Sequence, residues 1–177
     1  MTLVNGLPAH VLLVHLVVVL VPLTALALVA AAVWPRAARR LGVLLPALGL
    51  VSLVSVPLTT NAGEWLERHV DDDPLVRRHT ELGDGLLPWA LGLCALAVVV
   101  WWAGRAPRRA EDPAQGAERV GSRWSALPVR IVLGLLSVVV AVGAVGAVYR
   151  IGDSGARAAW HDGFSKSAHA EHGGDGS

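Results

Sequence analysis

Residues 9–34 contain no Lys, Arg, Asp or Glu. About 20 mainly apolar residues in a helix cross a hydrocarbon core roughly 30 Å thick, and this run exceeds that length. Three further segments meet the same requirement, at residues 41–60, 86–103 and 128–149. Inside lipid every backbone N–H and C=O must find its partner within the segment or in a closed barrel. None of these runs alternates polar with apolar residues as a barrel strand does. The expected fold is therefore all-α, an integral membrane four-helix bundle.

Composition agrees with this. The chain is 54% hydrophobic and only 16% charged, with a mean hydropathy of +0.53, whereas a soluble domain has about a quarter of its residues charged. A net charge of +1 offers nothing for nucleic acid to bind. The single cysteine, Cys94, excludes an internal disulfide and a cysteine-cluster metal site; lying in an apolar run, it reads as a small packing residue. The first run resembles a signal peptide at Ala30–Ala32. However, Met1–Pro8 carries no basic residue and the apolar run is too long, so it is read as a true span.

Charge in the loops sets a direction. The first loop holds Arg36, Arg39 and Arg40 without an acid. The third holds Arg105, Arg108, Arg109, Arg119 and Arg123 against Glu111, Asp112 and Glu118. The second holds Arg68, Arg77 and Arg78 against Glu64, Glu67, Asp71, Asp72, Asp73, Glu81 and Asp84. By the positive-inside rule loops one and three are cytoplasmic, and both termini are extracytoplasmic. The localisation expected is a multi-pass protein of the cell membrane. Tryptophans at the headgroup level fit: Trp34, Trp101, Trp102 and Trp124 at the inner boundary, Trp65 and Trp160 at the outer. Trp89, inside the third span, does not belong to either belt.

Residues 1–160 form the expected membrane domain, and the His-, Gly- and Ser-rich residues 161–177 a disordered tail. Asp73-Pro74 is a helix start, an N-cap followed by proline, so the third helix is expected to begin outside the lipid and to carry His79. Pro22, Pro46, Pro57 and Pro88 each remove a helical hydrogen bond and free the carbonyl four residues earlier. The fourth span carries Ser137, Ala141, Gly143 and Ala147, small residues that allow close helix approach, either within the bundle or across a homo-oligomer.

All seven histidines fall on the extracytoplasmic side of this topology. His10 and His15 are near the outer end of the first span, His69 and His79 in the second loop, and His161, His169 and His172 in the tail. An ionisable residue at membrane depth, as His15 is, is a functional candidate by default. His10 and His15 are about 140° apart around a helix and about 7.5 Å apart along it, so they do not chelate one ion together. Either could face His79 across the bundle, at a spacing that suits a haem iron. The alternatives are that His10 meets headgroups and that His15 bonds a neighbouring helix. His169 and His172, three residues apart, offer a weak metal site in an otherwise solvated tail.

Gly6-Leu7-Pro8-Ala9-His10, with Val14-His15-Leu16 and Pro22, resembles the opening helix of a bacterial membrane family catalogued as domain of unknown function 2231. So does the junction Pro57-Leu58-Thr59-Thr60-Asn61-Ala62-Gly63-Glu64-Trp65, as does His79 at the head of the third helix. Tyr149-Arg150-Ile151-Gly152-Asp153-Ser154-Gly155-Ala156 resembles the family's closing G-H-x-G-A/G motif. Val11 replaces a proline and Asp153 a histidine of the family pattern, which weakens any cofactor carried over. The resemblance implies four spans over residues 6–160 and no established activity. Relatives fused to iron–sulfur domains, and the likeness to four-helix b-type cytochromes, imply redox partners. No iron–sulfur cysteines are present here.

Three functions follow from these residues. The first is a non-enzymatic scaffold or accessory membrane subunit. The second is a haem-b electron-transfer protein with His10, His15 and His79 as candidate ligands. The third, ion or metal transport, is weakened because the spans hold no Asp, Glu, Lys or Arg beyond Arg130, and carriers usually need such groups at depth. No nucleophile–base pair, phosphate loop or zinc-protease motif argues for catalysis.

Overall fold

The computed structural model describes residues 3–4, 7–67, 74–105 and 127–172, with side-chain surroundings for residues 12–64, 77–105 and 127–157. Six helices follow a two-residue antiparallel pairing of β1 (Leu3–Val4) with β2 (Leu7–Pro8). They are α1 (Ala9–Val33), α2 (Pro35–Leu41), α3 (Leu44–Glu67), α4 (Pro74–Asp84), α5 (Leu87–Arg105) and α6 (Leu127–His172). Four segments are long and apolar enough to cross a membrane: Leu12–Val33, Leu44–Glu64, Arg77–Arg105 and Leu127–Arg157. The helix expected to begin at Pro74 does so, while Asp73 lies outside the described residues. The chain expected to be unstructured from His161 continues α6 as far as His172.

Proline and glycine set the boundaries. Trp34 precedes Pro35 and is extended, with φ −110° and ψ 109°, because the proline ring disfavours the helical region for the residue before it. Pro35 then opens α2 at a position where no amide donor is needed. Gly42 ends α2 in the left-handed region at φ +48°, its N–H donating to the Ala38 carbonyl, the usual role of glycine past a helix end. Of the four prolines expected to break spans, Pro46 and Pro88 fall in the first turns of α3 and α5 and interrupt nothing. Only Pro22 and Pro57 lie in helix interiors.

Each spanning helix buries one narrow seam. On α1 the seam is Val17, Val21, Thr24, Ala25 and Leu28. On α5 it is Ala90, Leu93, Ala97 and Val100, and on α6 Ser137, Ala141, Ala144 and Val148. The three- and four-residue steps are those of a helix with one inward face. The outward faces are as apolar as the seams: Leu26 is 70% exposed and Val142 67%. Water does not tolerate so much contiguous apolar surface, and its extent marks contact with lipid.

Association in lipid depends on close packing, because outward Leu and Val are as well solvated by acyl chains as by one another. Glycines supply that packing. A Cβ on Gly49 of α3 would lie 3.0 Å from the Cys94 Cα of α5, and one on Gly92 of α5 would lie 3.0 Å from Val140 Cγ1 of α6. On Gly143 of α6 a Cβ would collide with the Trp89 ring. Trp89 is thus a packing knob set against a glycine, which is why it fits no aromatic belt. The small residues of the fourth span serve the bundle itself: Ser137 and Ala141 are buried, and Gly143 receives Trp89.

Hydroxyls tie α3 to α1 and to itself. Thr24 Oγ1 and Ser52 Oγ are 2.8 Å apart across the two helices. Ser55 donates to the Ser52 carbonyl at 2.9 Å and Thr59 to the Ser55 carbonyl at 2.7 Å. Near Pro57, whose ring removes an amide donor, Thr60 and Asn61 donate to the Pro57 carbonyl at 3.2 and 2.7 Å. At the arginine-rich end the Arg105 guanidinium stacks 4.2 Å from the Trp101 ring centre, a cation–π contact.

Gly143→Ala is expected to drive Trp89 out of its notch and to lower stability by about 1–3 kcal/mol, the usual cost of overpacking. Thermal unfolding in mild detergent measures it, with Gly146→Ala, where no atom lies within 4 Å, as the silent comparison.

Candidate functional site at the His79 end

The third span is not one helix. Residues 85–86 form a turn between α4 and α5, in which the Leu86 N–H donates to the Gly83 carbonyl at 3.1 Å. Below the turn α5 packs into the bundle against α1, α3 and α6. Above it α4 packs chiefly on α6 and also on α3. This break places His79 beside α6 instead of at the bundle axis.

His79 is half-buried. Its Nδ1 lies 3.1 Å from the Ile151 carbonyl oxygen and 3.0 Å from Ser154 Oγ, and the Ser154 hydroxyl donates to the same carbonyl at 2.8 Å. The carbonyl only accepts, so the arrangement with Nδ1 protonated lets imidazole and hydroxyl both donate to it. Gly155 makes room: a Cβ there would stand 3.0 Å from His79 Cε1 and 3.2 Å from Nδ1. One residue of α4 is thereby docked onto one turn of α6.

Beside this contact a cavity of about 60 Å³ opens between α1, α3, α4 and α6. Val14, Val17 and Val18 wall it on one side, and Leu86, Val148 and Ile151 on another. Thr59, Thr60, Glu64, His79, Thr80 and Asp84 bring polar atoms to it. Sites for drug-sized ligands take about 300–1,000 Å³, several times this volume. At about 15 Å³ for each water, it has room for about four.

The expected site residues separate here. His79 meets the cavity. His15 is exposed and sits about 100° round α1 from Val14, away from the cavity-lining face. His10 lies in the first turn of α1, and its side chain is outside the described residues, as are His69 and the tail histidines. A haem held between His15 and His79 does not fit this arrangement, because one imidazole faces elsewhere and the space between the helices is far too small. Among the described residues, no group of three His, Cys, Asp or Glu side chains is placed to hold a metal ion.

The chain matches, over residues 6–168, the family described as "Predicted membrane protein (DUF2231)". It belongs to that family. No curated protein and no solved structure matches the chain. The stretches resembling the DUF2231 pattern meet at this one end of the bundle: Val14 from the opening helix, Thr59–Glu64 from the junction, His79 from α4, and Ile151, Ser154 and Gly155 from the closing motif. Asp153, read in the sequence as replacing a histidine of the resembled pattern, pairs with Arg157 at 2.8 Å.

Sequence reasoning found His79 but missed what holds it. The signal was present in Ser154-Gly155, a hydroxyl and a glycine adjacent on one helical turn. The Thr24–Ser52 pair was also missed, although single hydroxyls inside apolar runs are themselves a signal, since a buried hydroxyl needs a partner.

His79→Ala should loosen α4 from α6. With a hydrogen bond worth about 1 kcal/mol, amide exchange across Pro74–Asp84 is expected to accelerate about fivefold while α5 is unchanged. Gly155→Ala should act in the same direction, and Gly152→Ala, which meets nothing within 4 Å, should not.

Proposed function

We propose that the chain is a non-enzymatic scaffold or accessory subunit of the cell membrane, with both termini and the His79 end extracytoplasmic. The observation that carries this reading is the docking of His79 onto Ile151 and Ser154. The imidazole that stood out as the best candidate for chemistry has its Nδ1 given over to joining two helices. The stretches that resemble the family pattern thus converge on a piece of architecture.

Two further features support it. Thr24, Ser52, Ser55 and Thr59 are buried and hydrogen-bonded within and between α1 and α3, so these four hydroxyls serve packing. The exposed charges of α4, including the Arg77–Glu81 pair at 3.8 Å, give the His79 end a polar face on which another membrane protein can sit. The orientation rests on Arg36, Arg39, Arg40 and Arg105, which lie at the opposite end of the bundle and are expected inside.

Three measurements test this. Protein purified in mild detergent from haem-replete cells should be colourless; a Soret band lost in His79→Ala or His10→Ala would replace the scaffold reading with electron transfer. In a Cys94→Ser background, a membrane-impermeant maleimide should label Glu81→Cys in intact cells, and Arg36→Cys only after lysis. The reverse pattern inverts the orientation. A photo-crosslinker at position 81 should give a discrete adduct with another membrane protein, and an adduct-free chain in its native membrane sinks the scaffold reading.

A further inference from the structure

The lining of the cavity beside His79 combines an apolar wall with hydrogen-bonding groups, and the scaffold reading makes no use of it. We propose that it binds the apolar end of a small neutral or cationic amphiphile, a short alkyl group carrying a hydroxyl or an ammonium. Three observations bear on the ligand. The wall formed by Val14, Val17, Val18, Leu86, Val148 and Ile151 presents aliphatic carbon, which favours a saturated chain. The volume of about 60 Å³ holds about four water-sized groups, so the buried part has about three or four heavy atoms. Among the described lining residues Asp84 adds a carboxylate beside the already engaged Glu64, and none is Lys or Arg, so the described lining favours an ammonium or hydroxyl over an anionic head.

The origin of the cavity is the break at residues 85–86. Above the turn α4 leans on α6 and α3, and the groove between them on the α1 side stays unfilled. Gly83, on the α4 wall, lacks the side chain that would occupy it: a Cβ there would make only ordinary contact with Thr60 Cγ2, at 3.6 Å. The site therefore survives as a consequence of small residues and a turn, without any strained element.

The test uses the full chain in nanodiscs, with empty nanodiscs subtracted, and three series of probes from two to six carbons: n-alkylammonium ions, n-alkanols and n-alkanoates. Binding of the first two is expected to strengthen about fourfold per methylene, the equivalent of burying one CH₂, up to three or four carbons and then to level off. Alkanoates are expected to bind at least about tenfold more weakly than the ammonium of equal length. Gly83→Val and Val14→Phe, which fill the cavity from two different helices, should each abolish binding. Ile151→Ala keeps the carbonyl that holds His79 and enlarges the space, so the levelling point should move to a longer chain. Affinity that climbs with chain length without levelling, equally in the filled variants, would show simple partition into lipid and overturn the proposal. So would alkanoates binding as well as ammonium ions.

Discussion

Close packing between helices holds this bundle together, and three glycines that permit it all serve contacts with α5. In water, burying the outward Leu and Val would itself drive assembly. In lipid that drive is absent, and contact between well-fitted surfaces has to supply it. Gly49 brings α3 against the α5 backbone at Cys94, Gly92 brings α5 against Val140 of α6, and Gly143 receives Trp89. The three glycines lie on three different helices, and each serves a contact with α5. The exposed apolar faces then have no structural task beyond solubility in acyl chains, which explains how Val19 and Val139 remain 66% and 61% exposed without instability.

The turn at residues 85–86 is the second determinant, and it follows from the first. Once α5 is fixed among its neighbours, α4 needs its own attachment, because a helix of eleven residues depends on tertiary packing to persist. His79 with Ile151 and Ser154 provides it. The same attachment explains the length of the fourth span. A helix ending at Tyr149 would stop short of residues 151, 154 and 155, so α6 must run on past Tyr149 for α4 to have anything to dock on. The extension of α6 and the break in the third span are therefore parts of one arrangement.

The spans were legible because their signal is additive: some twenty apolar residues outweigh any local exception, and Pro22 and Pro57 did not change the result. Boundaries at Trp34–Pro35 and at Pro74 were legible because proline acts on its own backbone and that of one neighbour. The turn at 85–86 was not, since Gly85 and Pro88 look like ordinary interruptions of one span until α4 is seen to have a different neighbour from α5. Whether His15 faces His79 was not legible for a related reason. Spacing along a helix shows which residues share a face, as it did in separating His10 from His15, but the neighbour that this face meets is set by inter-helix packing. His15 is at a suitable depth and points away from the cavity. His79 is at a suitable depth and is held by a carbonyl, a group that every residue carries and that no sequence pattern singles out.

Asp153 brings these strands together. As the replacement for a family histidine it invited the inference that a ligand had been lost. It sits one residue from Ser154, and successive helical residues project about 100° apart, so it points to a different side of α6 and pairs with Arg157 on the next turn. The docking of His79 uses the Ile151 carbonyl, the Ser154 hydroxyl and the space over Gly155, none of which involves position 153. A histidine there would project where Asp153 does, away from His79, and would not join it around a common ion without a rotation of the helix. The substitution thus leaves the attachment of α4 intact. The attachment of α4 at this segment rests on Ser154 and Gly155, the residues that give α4 a surface to rest on.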